Sequence, residues 1–246
     1  MSQSPERGGL GTVRNAVLLL ALLAEGEGFQ QLTDLGERSG MSLPTVHRLL
    51  RSLTMADLVS QDPRSSRYGL GPELARLSNR YRARLPVLGA LAPYLVQLRD
   101  TVGTTIEVQI LVGESAVTVD QVDGSEGGPY RRTNTVVPAL HSAGGCLLAA
   151  RADPGQWRHI LHAVSAPEQD RAEASHDEWA DSTWLQRAPA RVGEPCEVAA
   201  SVIPSGGSGA ALVALVPEPA APDRIAAIAG HLVRAAEAAL RTVGHA

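Results

Sequence analysis

Between residues 42 and 52 the sequence places hydroxyl, imidazole and guanidinium groups at helical spacing: Ser42, Pro44, Thr45, His47, Arg48, Arg51 and Ser52. A guanidinium forms paired hydrogen bonds with guanine edges or phosphates, and small hydroxyls reach either, so the set suits the major groove of duplex DNA. With Ser42 as N-cap, Pro44 falls in the first turn, where its missing N–H is no loss. Val46, Leu49, Leu50 and Leu53 then stand at i, i+3, i+4 and i+7, one apolar stripe turned toward a core. The polar set lies opposite, with Thr45 at the border. Any amphipathic helix carries charge on its outer face, so the flanking elements decide the reading.

Those elements are a short helix marked by Leu32, Leu35 and Gly36, with Thr33 or Asp34 as its cap, and a turn at Gly40, where positive φ is cheap. After the polar helix, residues 58–60 and 67–70 read as two strands around Asp62-Pro63-Arg64-Ser65-Ser66, a turn-prone run. Arg64, Arg67 and Tyr68 on that hairpin can meet phosphates or a minor groove, although a solvated hairpin has the same composition. Helix, glycine turn, helix and hairpin in this order make a winged helix-turn-helix.

A second set of reactive side chains lies at His141-Ser142-Ala143-Gly144-Gly145-Cys146. Ahead of a helix, such a stretch offers backbone amides to an anion, or only turns the chain. His141 and Cys146 are the components of a nucleophilic pair, but no acid nearby orients the imidazole, and no enzymatic activity is expected. Cys146 and Cys196 are too far apart for a zinc motif; buried inert thiols and redox sensors both remain open. Asp120, Asp123 and Glu126 match no calcium-type spacing. No metal or cofactor is expected.

The 246 residues suffice for two domains, and 44% of them are hydrophobic. The longest apolar run, residues 16–24, is far short of the roughly 20 residues a membrane span needs. It reads as the first core helix, about 13–24, rather than a signal peptide, because it leads directly into the helix-turn-helix without a convincing cleavage site. A cytoplasmic protein is expected. The net charge of −4 divides unevenly: residues 38–82 hold eight arginines against three acids, and residues 83–246 twelve arginines against eighteen acids. A basic module joined to an acidic one fits a DNA-binding head and a second domain with a different task.

Residues 1–11 read as a disordered arm, 12–71 as the winged domain and 72–86 as a helical linker. A further helix at 87–102 carries Leu88, Leu91, Leu95 and Leu98, and ends at Gly103. Beyond it the period becomes two: residues 104–111 and 116–122 form a hairpin with Ile106, Val108 and Ile110 on one face. Residues 123–131 are loop and 134–137 another strand. Residues 165–187 are acidic and irregular, with a helix around 177–185. Residues 197–203 and 210–216 make a hairpin, and Ile225, Ile228, Ala229, Leu232 and Ala236 a final helix. Hairpins flanked by helices give an α+β domain on an antiparallel sheet over 87–246.

Across nearly its whole length the chain resembles the IclR family of bacterial transcription regulators. The resemblance is strongest at Thr45-Val46-His47-Arg48-Leu49-Leu50, at Tyr68-Gly69-Leu70-Gly71 and at Leu74-x-x-Leu77. It implies a winged helix-turn-helix, a linker helix and a GAF-like effector-binding domain. It further implies a homodimer, or a dimer of dimers, on a palindromic double-stranded operator, repressing rather than activating. Thr45, His47, Arg48, Arg51 and the wing arginines would touch DNA. The second domain departs from the pattern. Leu140 to Cys146 stands one residue short of the family's Leu-His-x-Thr-Ala-x-Gly-Lys, and Val213 and Leu215 take the places of two serines. An effector site of Ile106, Gln109, His141, Ser142, Ala143, Gly144, Cys196, Val213 and Leu215 is therefore expected to take a larger or less polar molecule than a small carboxylate. The alternatives are a regulator that needs no ligand and a protein-interaction module.

Overall fold

The computed structural model describes residues 6–26, 28–124, 135–189, 191, 193–204 and 209–243. Two compact units divide the chain, Met1–Tyr81 and Arg82–Ala246.

The first unit begins with α1 (Glu6–Glu25), α2 (Leu32–Ser39) and α3 (Leu43–Met55). A two-stranded antiparallel wing follows, β1 (Val59–Gln61) with β2 (Tyr68–Leu70), and then α4 (Glu73–Ala83). Leu19, Leu22 and Leu23 of α1, Leu35 of α2, and Val46, Leu49, Leu50 and Leu53 of α3 share one core with Val59 and Tyr68. Gly40 closes α2 in the left-handed region at φ 68°, which a residue without Cβ adopts freely. Gly71 is required for another reason: a Cβ there would lie 2.1 Å from the Asp57 carbonyl oxygen.

Two expectations change here. Residues 6–11, placed in a disordered arm, are the opening turns of α1, while 1–5 lie outside the described residues. Extending a helix already anchored by its buried leucines is far easier than nucleating one, so α1 runs past the predicted start. The N-cap of α2 is Gln31 rather than Thr33 or Asp34. Gln30 does the local work instead: its Nε2 donates to the Leu22 and Leu23 carbonyls at 3.0 and 3.2 Å, satisfying the end of α1.

The second unit is built on a six-stranded antiparallel sheet in the order β5-β4-β3-β8-β7-β6. Its strands are β3 (Thr105–Val112), β4 (Ser115–Val122), β5 (Val136–Pro138), β6 (Trp184–Arg187), β7 (Cys196–Val202) and β8 (Ala210–Val216). One face is covered by α5 (Pro86–Val102) and α9 (Pro222–Val243), which close over Ile106, Val108, Ile110, Val198, Leu212 and Val216. The other face carries α6 (Ala143–Ala149), with α7 (Pro154–His162) and α8 (Ala166–Asp181) packed beyond it. The predicted alternation of β3 and both hairpins are present.

The acidic stretch is more ordered than its composition suggests. α8 spans Ala166–Asp181, so the helix expected around 177–185 is present over 177–181 but starts eleven residues earlier, and β6 takes over at Trp184. Among the described residues of α8 only Ala172 is buried, so the helix shows no apolar stripe. Its start is fixed by Glu168, whose Oε2 accepts from the Ser165 amide at 3.0 Å and hydroxyl at 2.6 Å. Glu126, named above as a possible metal ligand, lies outside the described residues.

Candidate functional site

In the first unit α3 buries its apolar stripe and exposes the opposite side. Ser42, Pro44, His47, Arg48, Arg51 and Ser52 are exposed, and Thr45 is half-buried at the border. Ser42 is the N-cap, with Pro44 in the first turn, but its hydroxyl pairs with Thr45 Oγ1 at 2.9 Å instead of capping the backbone. Ser52 Oγ donates back to the Arg48 carbonyl at 3.1 Å.

Not all the positive charge in this unit is available to a partner. Arg38 donates to Glu25 at 2.8 Å, to Gln30 Oε1 at 2.7 Å and to the Leu22 carbonyl at 3.3 Å, tying α2 to the end of α1. Arg76 is bound by Glu73 one turn away. The side chains of Arg48, Arg51, Arg64 and Arg67 are exposed and make no hydrogen bond or ion pair among the described residues. Four uncompensated guanidinium groups therefore stand on α3 and the wing. Tyr68 leaves the DNA-facing set: it is 5% exposed and packs in the core. Its backbone pairs with Gln30 by two 2.8 Å hydrogen bonds, a third strand-like segment that turns the ring inward.

In the second unit the sheet face under α6 holds a buried polar network. Glu107, Gln109 and Thr118 are buried side by side, and Ser142 is wholly buried at the start of α6. Gln109 Nε2 and Thr118 Oγ1 both donate to Glu107 Oε2 at 3.1 Å. Ser142 Oγ lies 2.6 Å from Gln109 Oε1 and 3.0 Å from Glu197 Oε2, and the Ala143 amide donates to that same Glu197 oxygen at 2.6 Å. A bulge builds part of this arrangement. Val108 pairs with Asp120 but Gln109 pairs with Thr118, so one extra residue on β4 brings Thr118 to the face of Glu107. Directly across from Glu107, Gln121 has a buried Oε1 without a hydrogen-bond partner among the described residues.

Burial raises the Glu107 carboxyl above the ordinary range, opposed by its bonds from Gln109 and Thr118 and reinforced by the nearby negative Glu197. Gly144 sits against the same sheet: a Cβ there would meet Gln109 Oε1 at 2.6 Å and Val213 Cγ2 at 2.8 Å.

The expected effector residues are thus divided. Gln109, Ser142, Ala143, Gly144, Val213 and Leu215 share the α6 side. Ile106 and Cys196 do not: strand alternation puts them on the opposite face, in the core under α5 and α9. His141 is exposed and bonded through Nε2 to Glu168 Oε1 at 3.0 Å. Glu168 is held down to about 2, by the Ser165 hydroxyl first and then the Ser165 amide and His141. The sequence reading did not place Glu107, Thr118, Gln121 or Glu197 in the site. Glu107 was detectable in principle, two residues from Gln109 on an alternating strand.

Cys146 is buried, its thiol pushed up to about 11 by desolvation despite Arg187 at 3.9 Å, and desolvation raises Cys196 as well. Neither is an activated nucleophile. Among the described residues no three His, Cys, Asp or Glu side chains converge as metal ligands, and no helix is long and apolar enough to cross a membrane.

Comparison with known proteins bears on both units. The IclR helix-turn-helix domain family matches residues 12–63. An HTH-type transcriptional regulator of Mycobacterium tuberculosis is 34% identical over 171 residues, 67% of this chain and 63% of its own length. The chain spans less than two thirds of the length of that relative and of two further curated regulators it matches. The crystal structure of an IclR transcriptional regulator from Silicibacter superposes with a TM-score of 0.81 at 25% identity, covering 95% of this chain and 96% of that one. An IclR homologue of Microbacterium hydrocarbonoxydans, solved in complex with 4-hydroxybenzoate, shares the fold with a TM-score of 0.71 at 16% identity, covering 94% and 99%.

Proposed function

Because the chain belongs to the IclR family of transcriptional regulators, we propose that it binds an operator in duplex DNA and represses transcription, with its affinity set by a small molecule. The observation that carries this reading is the set of four unpaired guanidinium groups, Arg48 and Arg51 on α3 and Arg64 and Arg67 on the wing. α3 would enter the major groove and the wing would grip the flanking backbone.

A homodimer on a palindromic site follows from the same reading, since a two-fold operator mirrors a two-fold protein. Val13, Val17 and Leu18 of α1 and Leu77 and Tyr81 of α4 are exposed apolar side chains, and α4 buries no residue of its own. A second copy covering them would bury the outer face of α1 and give α4 the burial it lacks.

The effector face favours a molecule that is not a small carboxylate. Glu197 already brings a carboxylate to it, Glu107 adds a carboxyl whose charge burial disfavours, and Gln121 Oε1 is an acceptor unmet among the described residues. An added acid is repelled there, whereas an uncharged or cationic molecule with N–H or O–H donors finds acceptors. The related Microbacterium protein was solved with 4-hydroxybenzoate, itself a small aromatic carboxylate, so it supports a small-molecule site in this fold and not the exclusion of acids. This reading keeps the sequence expectation of an effector other than a small carboxylate and adds polar partners for it. A second reading, regulation without a ligand, is favoured by the close seating of Gly144 on Gln109 and Val213.

The test is fluorescence anisotropy of the purified protein on duplex DNA from upstream of its own gene, against scrambled DNA, at two salt concentrations. Specific binding that falls steeply with salt supports the reading. Equal binding to both DNAs at all salts removes the sequence-specific part. A calorimetric titration with tight binding of pyruvate-like acids would sink the effector assignment.

A further inference from the structure

An acid on a loop that faces DNA has the wrong sign. Asp62 is such an acid, the first residue of the wing loop between two strands of three residues each. We infer that Asp62 is a positioning residue for operator recognition: its carboxylate holds the wing tip in the shape that presents Arg64 and Arg67. The inference rests on the DNA-binding reading above.

The loop is organised around this side chain. Asp62 Oδ1 accepts the Arg64 amide at 3.2 Å, and Oδ2 accepts the Ser65 amide at 3.1 Å together with the Ser65 hydroxyl. Its backbone closes the loop twice, with its N–H on the Arg67 carbonyl at 2.9 Å and its carbonyl taking the Ser66 amide at 2.8 Å. The Arg67 amide donates to Ser65 Oγ at 3.4 Å, so the second arginine is fixed through the hydroxyl that Asp62 holds. Gln61 Nε2 supports the far side on the Ser66 carbonyl at 3.1 Å. Ser66 adopts φ 56°, a left-handed conformation that a residue with a Cβ keeps only when its surroundings hold it there.

Each residue of the loop except Pro63, whose ring already fixes its φ, is thus bonded to Asp62 directly or through Ser65. Asp62 belongs to no core cluster, so its contribution is confined to the wing. These hydrogen bonds, the Ser65 hydroxyl foremost, keep its carboxyl below the usual range and therefore ionised.

Ordering a free loop costs about 1–2 kcal/mol per residue, and a loop ordered beforehand loses less of that freedom on binding. Two effects then oppose each other in any substitution of Asp62. Charge alone says that removing an anion near phosphates tightens binding. Positioning says that removing the acceptor loosens the wing and weakens specific binding. Asn keeps one of the two acceptor oxygens, enough for the Arg64 amide, while discarding the charge, which separates the two.

The experiment measures dissociation constants of the wild type, Asp62→Ala and Asp62→Asn on a duplex selected from a random pool by the wild-type protein. A scrambled duplex and two salt concentrations complete the set, and thermal melting checks that all three fold alike. Asp62→Ala should bind the selected duplex about three- to tenfold more weakly, the range expected for one or two lost hydrogen bonds. Its salt dependence should be shallower by about one phosphate contact. Asp62→Asn should stay within about twofold of the wild type or bind more tightly. Alanine binding as tightly as asparagine overturns the inference, leaving Asp62 only a charge. Asparagine falling as far as alanine overturns it too, because the retained oxygen on the Arg64 amide would then hold nothing in place. Failure of the wild type to select any duplex would remove the DNA-binding reading itself.

Discussion

Thr118 and Glu107 are joined by a 3.1 Å hydrogen bond between adjacent strands, made possible by one extra residue in β4. The acceptor, Glu107 Oε2, also takes Gln109 Nε2, so one oxygen of a 4% exposed carboxyl collects both donors while burial disfavours its charge.

That arrangement sets a pH dependence. The folded-state pKa of Glu107 is raised, so the folded protein holds a proton that the unfolded chain has released. Stability from this group is therefore present at acid pH and falls as pH rises from the ordinary carboxyl value through the raised one. Glu107→Gln keeps an acceptor oxygen and cannot ionise. It should melt higher than the wild type at pH 7, with the gap closing near pH 4. A gain of about 1 kcal/mol reads as about 2–4 °C in Tm for a chain of this size. A variant that melts lower at pH 7 would show that the carboxylate is favourable where it stands.

Chemical labelling tests the thiols. With Cys146 pushed up to about 11 and Cys196 also raised and buried, neither should react with a chromogenic disulfide reagent at pH 7 in the native state. Both should react after denaturation. Rapid native labelling of Cys146 would restore the redox-sensor reading.

Two adjacent glycines should differ in their tolerance of alanine. At Gly144 a Cβ meets side-chain atoms of Gln109, Val213 and Ala211, which can yield slightly. At Gly145 it meets the Ala139 carbonyl oxygen at 2.1 Å, which is backbone. Gly144→Ala is expected to lose about 1–3 kcal/mol and Gly145→Ala more, measured by denaturant unfolding. Equal losses would mean that α6 shifts as a unit.

Leu50 is fully buried in the first unit's core. Leu50→Ala should destabilise that unit by about 2–5 kcal/mol. Arg48→Ala, on the opposite side of the same helix, should leave melting within about 0.5 kcal/mol. It should weaken operator binding by about 1–3 kcal/mol and relax preference at one base. Equal weakening on specific and scrambled DNA would make Arg48 a phosphate contact only.

α3 could be read from the sequence because one apolar stripe determines which side is free: Val46, Leu49, Leu50 and Leu53 allow a single helical register. A strand of three residues offers no such redundancy, and Tyr68 was placed outside while its pairing with Gln30, far away in sequence, turns it inside. Parity likewise separates Cys196 from Glu197: adjacent residues on a strand face opposite sides, and composition does not say which side bears the ligand face. The first half of α8 was hidden because a helix packed through Ala172 and Trp179 has almost no apolar period, although Ser165 and Glu168 carried its start signal. The polar network escaped because its members come from β3, β4, β7 and the start of α6, and only the folded sheet brings them together.

Glu197 changes the meaning of the donors at the start of α6. Its Oε2 already receives the Ala143 amide and lies beside the Ser142 hydroxyl, the groups that looked in sequence like a seat for an external anion. In kinetic language the protein carries a tethered competitive inhibitor of its own. A group held on the same chain acts at an effective concentration on the order of millimolar or more, so a dilute acid of equal intrinsic affinity is excluded by mass action before shape is tested.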